Sequence, residues 1–226
     1  MKKFFSACLT LLLIFSFITP AFASYSMTFE EAKEYLVNYS ATKENSLGEE
    51  YTVRYEFYSE EDINQAAEYI AEEGLDSFNE EIDAAIAAAV TEEKSFVPVT
   101  RTTDPSVVYR TVSGNGTHHV EGLISGMAYF DTLGTLEYQL VLEYDVLVLG
   151  GKLYEINNTE CTLDNISAPS GGIQDVVHTT YCNDTNCGLT VRYVIFKTIG
   201  ISWNEIPIGL RTEYDNEICG LLTSIA

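Results

Sequence analysis

Basic and imidazole side chains are scarce in this sequence. Its 226 residues include 12 lysines and arginines and three histidines, against 34 aspartates and glutamates. The formal net charge is −22, and it becomes −24 without the N-terminal Lys2 and Lys3. Nucleic acids and anionic lipids bind proteins mainly through lysine and arginine, so this composition argues against both as partners.

Catalytic and cofactor motifs are missing as well. The nearest approach to a G-x-S-x-G nucleophile elbow is GLISG, Gly122 to Gly126, in which the serine has the wrong spacing. Glu143 and Asp145 lie two positions apart, which is typical of a solvated strand face. We therefore predict no cofactor and favour a non-enzymatic protein. An extracellular carboxylate-based hydrolase, with two carboxyls across a cleft, is the alternative.

The N-terminus has the layout of a secretory signal peptide. Lys2 and Lys3 precede an apolar run from Cys8 to Ile18, and the small residues Ala21 to Ala23 follow it. The run is too short to span a bilayer, and its layout is typical of a bacterial signal peptide. We predict a signal peptide at 1–23 and a mature protein that is secreted, extracellular and without a membrane anchor.

Residues 24–94 are acidic and mainly helical in pattern. Three segments open with a hydroxyl residue followed three positions later by a carboxylate, which predicts helix N-caps at Thr28, Ser59 and Ser77. Gly74 suits the end of the helix that precedes Ser77. Within this region, Tyr51 to Tyr58 predicts a strand.

Residues 106–226 have the alternation of antiparallel strands. The clearest segment places seven apolar residues on one face, and Gly150–Gly151 after it is a hairpin signal. Those seven residues are Leu136, Tyr138, Leu140, Leu142, Tyr144, Val146 and Val148. Other strands are predicted at Val107 to Val112, Thr117 to Asp131, Gly188 to Trp203 and Ile208 to Leu222. The expected fold is α+β, mainly β: an antiparallel β-sandwich or flattened barrel preceded by an acidic helical N-terminal region.

A connector at 95–105 separates the two regions. Its two prolines argue against a continuing helix. One interpretation makes 24–94 a pro-segment that is removed by cleavage in the connector, as in a secreted toxin or antimicrobial precursor. We favour the other, in which the helices pack on the sheet, because their apolar faces need a partner and the sheet offers one.

The four cysteines beyond the signal lie in the β region. An even number in a secreted chain predicts disulfides. Cys182 and Cys187 enclose Asn-Asp-Thr-Asn, a turn composition, so we predict a hairpin disulfide between them. Cys161 and Cys219 are left to form the second. A four-cysteine zinc site and a redox centre remain alternatives, although the two-residue spacing common to both is absent.

The histidines give one candidate metal site. His119 and Glu121 share a strand face, and His178 from another strand would be a third ligand. The competing interpretation is that these are surface histidines that bind no metal.

The aromatic residues give the best indication of a binding surface. The chain contains 15 tyrosines and one tryptophan, Trp203, at a predicted strand end. Tyrosine suits contacts with proteins and with sugar faces, although core packing accounts for several of them. Trp203 is either a ligand contact or a core residue. We expect a binding or interaction module whose partner is an extracellular protein or carbohydrate.

Overall fold

The computed structural model describes residues 27–90, 106–130 and 134–226. Within these ranges the chain forms three helices and nine strands. The helices are α1 (Phe29–Asn38), α2 (Glu60–Glu73) and α3 (Leu75–Val90). The strands are β1 (Ser40–Glu44), β2 (Glu50–Phe57), β3 (Ser106–Val112), β4 (Gly116–Tyr129), β5 (Thr135–Leu149), β6 (Lys152–Ile166), β7 (Gly171–Cys182), β8 (Asn186–Trp203) and β9 (Ile206–Ile225). The predicted signal peptide at 1–23 and the connector at 95–105 lie outside the described residues.

Two of the three predicted helix caps are confirmed. The Glu31 backbone N–H donates to Thr28 Oγ1 at 3.3 Å, and the Thr28 N–H donates back to the Glu31 carboxylate at 2.8 Å. Ser59 Oγ accepts from the Asp62 N–H at 3.1 Å. The third prediction is wrong, because α3 already begins at Leu75 and contains Ser77. Gly74, with φ of 93°, ends α2 as predicted, and α3 begins at the next residue.

The strands form two packed sheets, which confirms the α+β, mainly β class. The larger sheet has six strands in the order β1-β2-β9-β8-β7, with β3 also paired to β9; the smaller has the order β4-β5-β6. The pairing of β3 differs from the antiparallel prediction, since β3 runs parallel to the last part of β9. The 20 residues of β9 are long enough to pair β2 along one part and β3 along another.

The core lies between the sheets and follows the predicted alternation. The inward residues of β5, from Leu136 to Val148, are at most 3% exposed. Gly150 and Gly151 adopt φ of 60° and 74° in the β5–β6 hairpin, as predicted. Side-chain hydroxyls also meet between the sheets in this core. Tyr138 and Tyr193 place their hydroxyls 3.0 Å apart, and Tyr144 and Thr223 place theirs 2.5 Å apart.

The helices cover part of the larger sheet's inward face. Phe78 of α3 packs edge-on against Trp203 of β8, with ring centroids 5.0 Å apart, and against Tyr55 of β2 at 6.0 Å. Ala66, Ala67 and Ile70 of α2 are fully buried. This packing is the arrangement favoured above for the N-terminal region. Among the described helices, none has both the length and the apolarity needed to cross a bilayer.

Candidate functional site

The β7–β8 hairpin carries the predicted disulfide. Cys182 and Cys187 are paired across the strands with Cα atoms 4.1 Å apart, and the structure joins them. Asn183 organises the turn between them, because its Oδ1 accepts from the backbone N–H groups of Thr185 and Asn186 at 3.0 and 2.9 Å. The hairpin tip therefore has a structural role in positioning β7 beside β8.

The second predicted disulfide is not formed in the structure, where Cys161 and Cys219 are free thiols. They belong to opposing sheets: Cys161 is paired with Leu142 on β5, and Cys219 with Val191 on β8. The two thiols are nevertheless near enough to interact electrostatically across the core. Burial raises the pKa of Cys161 to about 11, and burial together with the nearby Cys161 raises that of Cys219 to about 12.

The predicted metal ligands are divided between the sheets. His178 lies on β7 of the larger sheet, where its Nδ1 is 3.3 Å from Thr159 Oγ1. His119 and Glu121 lie together on the outward face of β4 in the smaller sheet. Although Thr159 belongs to β6 of the smaller sheet, His178 is not part of the group of potential ligands that gathers around His119 and Glu121 among the described residues. The residue that does join His119 and Glu121 is Glu143 of β5.

Trp203, the predicted ligand contact, is buried with 3% exposure. Its indole Nε1 donates to Glu81 of α3 at 2.7 Å, and Tyr69 of α2 donates to the same carboxylate at 2.7 Å. These hydrogen bonds, with the Tyr69 contribution largest, hold the pKa of Glu81 below its usual range. Trp203 therefore serves as a core residue that ties the helices to the sheet.

Asp145 and Glu137 bear on the hydrolase alternative. Asp145 accepts hydrogen bonds from Asn158 and His119, and these hold its pKa below its usual range, the wrong direction for a general acid. A shallow cavity of about 300 Å³ lies at the β4–β5–β6 surface, and Glu137 is the one carboxylate in its lining. Carboxylate-based hydrolysis needs a pair across the cleft.

The outward face of the larger sheet divides into two halves. In the half near β2, Arg211 donates to Glu213 at 2.6 Å and to Glu56 at 3.2 Å, and its guanidinium lies 3.7 Å from the Phe196 ring centroid. Gln174 also accepts from Arg211. The polar groups of this half bind one another.

The other half carries two exposed tyrosines. One cross-strand row runs through Tyr181, Gly188, Leu222 and Tyr109 on β7, β8, β9 and β3, each directly paired with the next. Tyr181 is 47% exposed and Tyr109 is 71% exposed. A Cβ added at Gly188 would lie 2.4 Å from Cε1 of Tyr181 and 2.7 Å from Cδ2 of Leu222. Glycine therefore lets these two side chains lie flat across β8.

Polar groups adjoin that row. Thr179 and Thr190 are paired in the next row, and Val177 and Arg192 in a further one, all on the same face. Arg192 and Thr179 are exposed. We call this surface, Tyr109, Tyr181, Leu222, Thr179, Thr190 and Arg192, the tyrosine face.

Comparisons with models of protein families, with curated proteins and with solved structures each found no match.

Proposed function

We propose that the protein is a secreted, non-enzymatic extracellular module that binds a neutral polysaccharide through the tyrosine face. The observation that carries this proposal is the row of two exposed tyrosines on one face, in register across four hydrogen-bonded strands. The predicted signal peptide supports the location, and the Cys182–Cys187 disulfide is compatible with it.

The spacing of the tyrosines suits an extended ligand. Tyr181 and Tyr109 are three strand intervals apart, which at about 4.8 Å each places their backbones roughly 14 Å from one another. An aromatic ring offers an apolar face on which the C–H face of a sugar can stack. Because β8 has Gly188 in this row, no side chain from it projects between Tyr181 and Leu222.

The polar groups suit sugar hydroxyls. Thr179 and Thr190 can each donate and accept a hydrogen bond, and Arg192 supplies several donors. These residues adjoin the tyrosine row, so one ligand could contact both. A neutral polymer is favoured over an acidic one because the chain carries a formal net charge of −22.

Retention on insoluble polysaccharides tests the proposal. The mature protein would be mixed with cellulose, chitin and an insoluble β-1,3-glucan, three neutral polymers, and the bound fraction measured by sedimentation. We expect retention on at least one polymer, and a loss of roughly tenfold in affinity for the double variant Tyr109→Ala/Tyr181→Ala, at about 0.7 kcal/mol per ring.

Tyr58→Ala is the matched control, since Tyr58 is 66% exposed and lies outside the row. This variant should bind as the wild type does. Equal retention of the wild type and the double variant would reject the tyrosine face as the site. Failure of the wild type to bind any of the three polymers would reject the polysaccharide and leave a protein partner as the class to test.

A further inference from the structure

The outward face of the smaller sheet brings three metal-ligating side chains together. His119 and Glu121 project from the same face of β4, and Glu143 projects beside them from β5. One ligand atom from each lies within 4.8 Å of the other two. This cluster is separate from the tyrosine face, which belongs to the other sheet.

The carboxylates of this cluster repel one another when no cation is bound. Glu121 lies directly opposite Glu143, which in turn lies opposite Glu160 on β6. Like charges in directly opposed positions destabilise a sheet by roughly 0.2–1 kcal/mol per pair. Among the described residues, no ion pair joins any of these three carboxylates to a basic side chain. A bound cation would remove the repulsion.

One ring nitrogen of His119 is hydrogen-bonded to a carboxylate outside the cluster. Its Nδ1 lies 3.1 Å from Asp145 Oδ1, and Asn158 donates to Asp145 Oδ2 at 2.7 Å. A carboxylate in this position accepts hydrogen bonds from both partners. An acceptor at Nδ1 places the ring hydrogen there and leaves the lone pair on Nε2. Histidines that bind metals commonly donate their other N–H to a carboxylate in this way.

We propose that His119, Glu121 and Glu143 bind a divalent transition metal of the Zn²⁺ class, and that Asp145 positions His119. Ligand bonds of about 2.0–2.2 Å in a tetrahedral site place ligand atoms roughly 3.4 Å apart. His119 has an exposed fraction of 58%, so small side-chain rotations can close the cluster to this spacing. Imidazole nitrogen among the ligands favours Zn²⁺ over Ca²⁺ or Mg²⁺, which prefer oxygen alone. Water would occupy the fourth position.

Calorimetric titration of the tag-free mature protein with ZnCl₂ tests the site. We expect one Zn²⁺ per chain and at least a tenfold loss of affinity in His119→Ala and in Glu143→Gln. Asp145→Asn should weaken binding by about 10–100-fold, because it disturbs the orientation of the histidine. CaCl₂ and MgCl₂ should bind more weakly than ZnCl₂.

Two matched controls should leave binding unchanged. His118→Ala removes the neighbouring imidazole, which points to the opposite face of β4, and Glu137→Gln removes a carboxylate from the same face of β5. In EDTA, Glu143→Gln should have a higher melting temperature than the wild type, because the substitution removes one of the repelling carboxylates. Added Zn²⁺ should raise the melting temperature of the wild type but not that of Glu143→Gln.

Three results would overturn the proposal. The wild type fails to bind Zn²⁺, or His119→Ala and Glu143→Gln bind it as the wild type does, or alkylation of Cys161 and Cys219 abolishes the binding. The last result would assign the metal to the thiols.

Discussion

Trp203 and Glu81 are joined by a 2.7 Å hydrogen bond from the indole Nε1 to the carboxylate. The tryptophan ends β8, whereas the glutamate lies on α3, 122 residues earlier in the chain. The indole is buried against Phe78 and Tyr69, at centroid distances of 5.0 Å each. This contact binds the acidic helical region to the sheet, so the two should unfold together.

Replacing Glu81 should make the stability depend less on pH. The pKa of Glu81 is lower in the folded protein than in the unfolded chain, where it is about 4.3. The ionised carboxylate therefore stabilises the folded state fully above the unfolded pKa, and this stabilisation is lost as the pH falls through the folded pKa. Glu81→Gln should melt below the wild type at pH 7, and the difference should shrink in acid. Melting curves from pH 7 to pH 2.5 measure this. Glu80→Gln, on the same helix, is the control, and a difference that stays constant with pH would contradict the assignment.

The hydroxyl groups of Tyr144 and Thr223 join the two sheets, and their contributions to the free energy of unfolding should be coupled. Thr223→Val would leave the buried Tyr144 hydroxyl with only the Leu221 carbonyl at 3.5 Å, and we expect a loss of about 1–3 kcal/mol. Tyr144→Phe added to it removes the stranded hydroxyl, so the double variant should recover part of that loss. Urea unfolding of the two single variants and the double variant gives the coupling energy. Strictly additive losses would show that the pair does not act as a unit.

The strands and the core were predictable from the sequence where one face is buried. In β5 the period of two from Leu136 to Val148 decides which side chains point inward, and every one of them does. Long-range pairing was not predictable in this way. The short strand β1 was missed, and β6 and β7 were implied only by the two predicted hairpins. The parallel pairing of β3 depends on a partner, β9, that is about 110 residues away.

The candidate sites were predictable only in part, for the same reason. In β3, Val107, Tyr109 and Thr111 alternate with Val108, Arg110 and Val112, so neither face is distinctly apolar. Pairing of Tyr109 with Leu222 is what places it on the outward surface. Likewise, His119 and Glu121 were recognised from their spacing on one strand, whereas Glu143 is identified only by the β4–β5 register.

Gly188→Ala should weaken polysaccharide binding with little effect on stability. The added methyl group would collide with the ring of Tyr181 and with Cδ2 of Leu222, and both side chains can move aside by rotation. The displaced Tyr181 ring would no longer lie in line with Tyr109. Sedimentation with the polymer that the wild type binds measures the effect. Gly200→Ala is the matched control on the same strand, since a Cβ there meets nothing within 4 Å. Binding unaffected by Gly188→Ala would mean that the orientation of Tyr181 is unimportant.

Thiol labelling should distinguish the free cysteines of the structure from the second disulfide that the sequence predicts. Iodoacetamide added to the unfolded, unreduced mature protein should modify Cys161 and Cys219 and spare Cys182 and Cys187. Mass spectrometry of the intact chain should then show two added groups, and one in Cys161→Ala. In the folded protein at pH 8 both thiols should react slowly, because their pKa values of about 11 and 12 leave little thiolate. An unfolded chain that takes up no label until it is reduced would instead establish a Cys161–Cys219 bond.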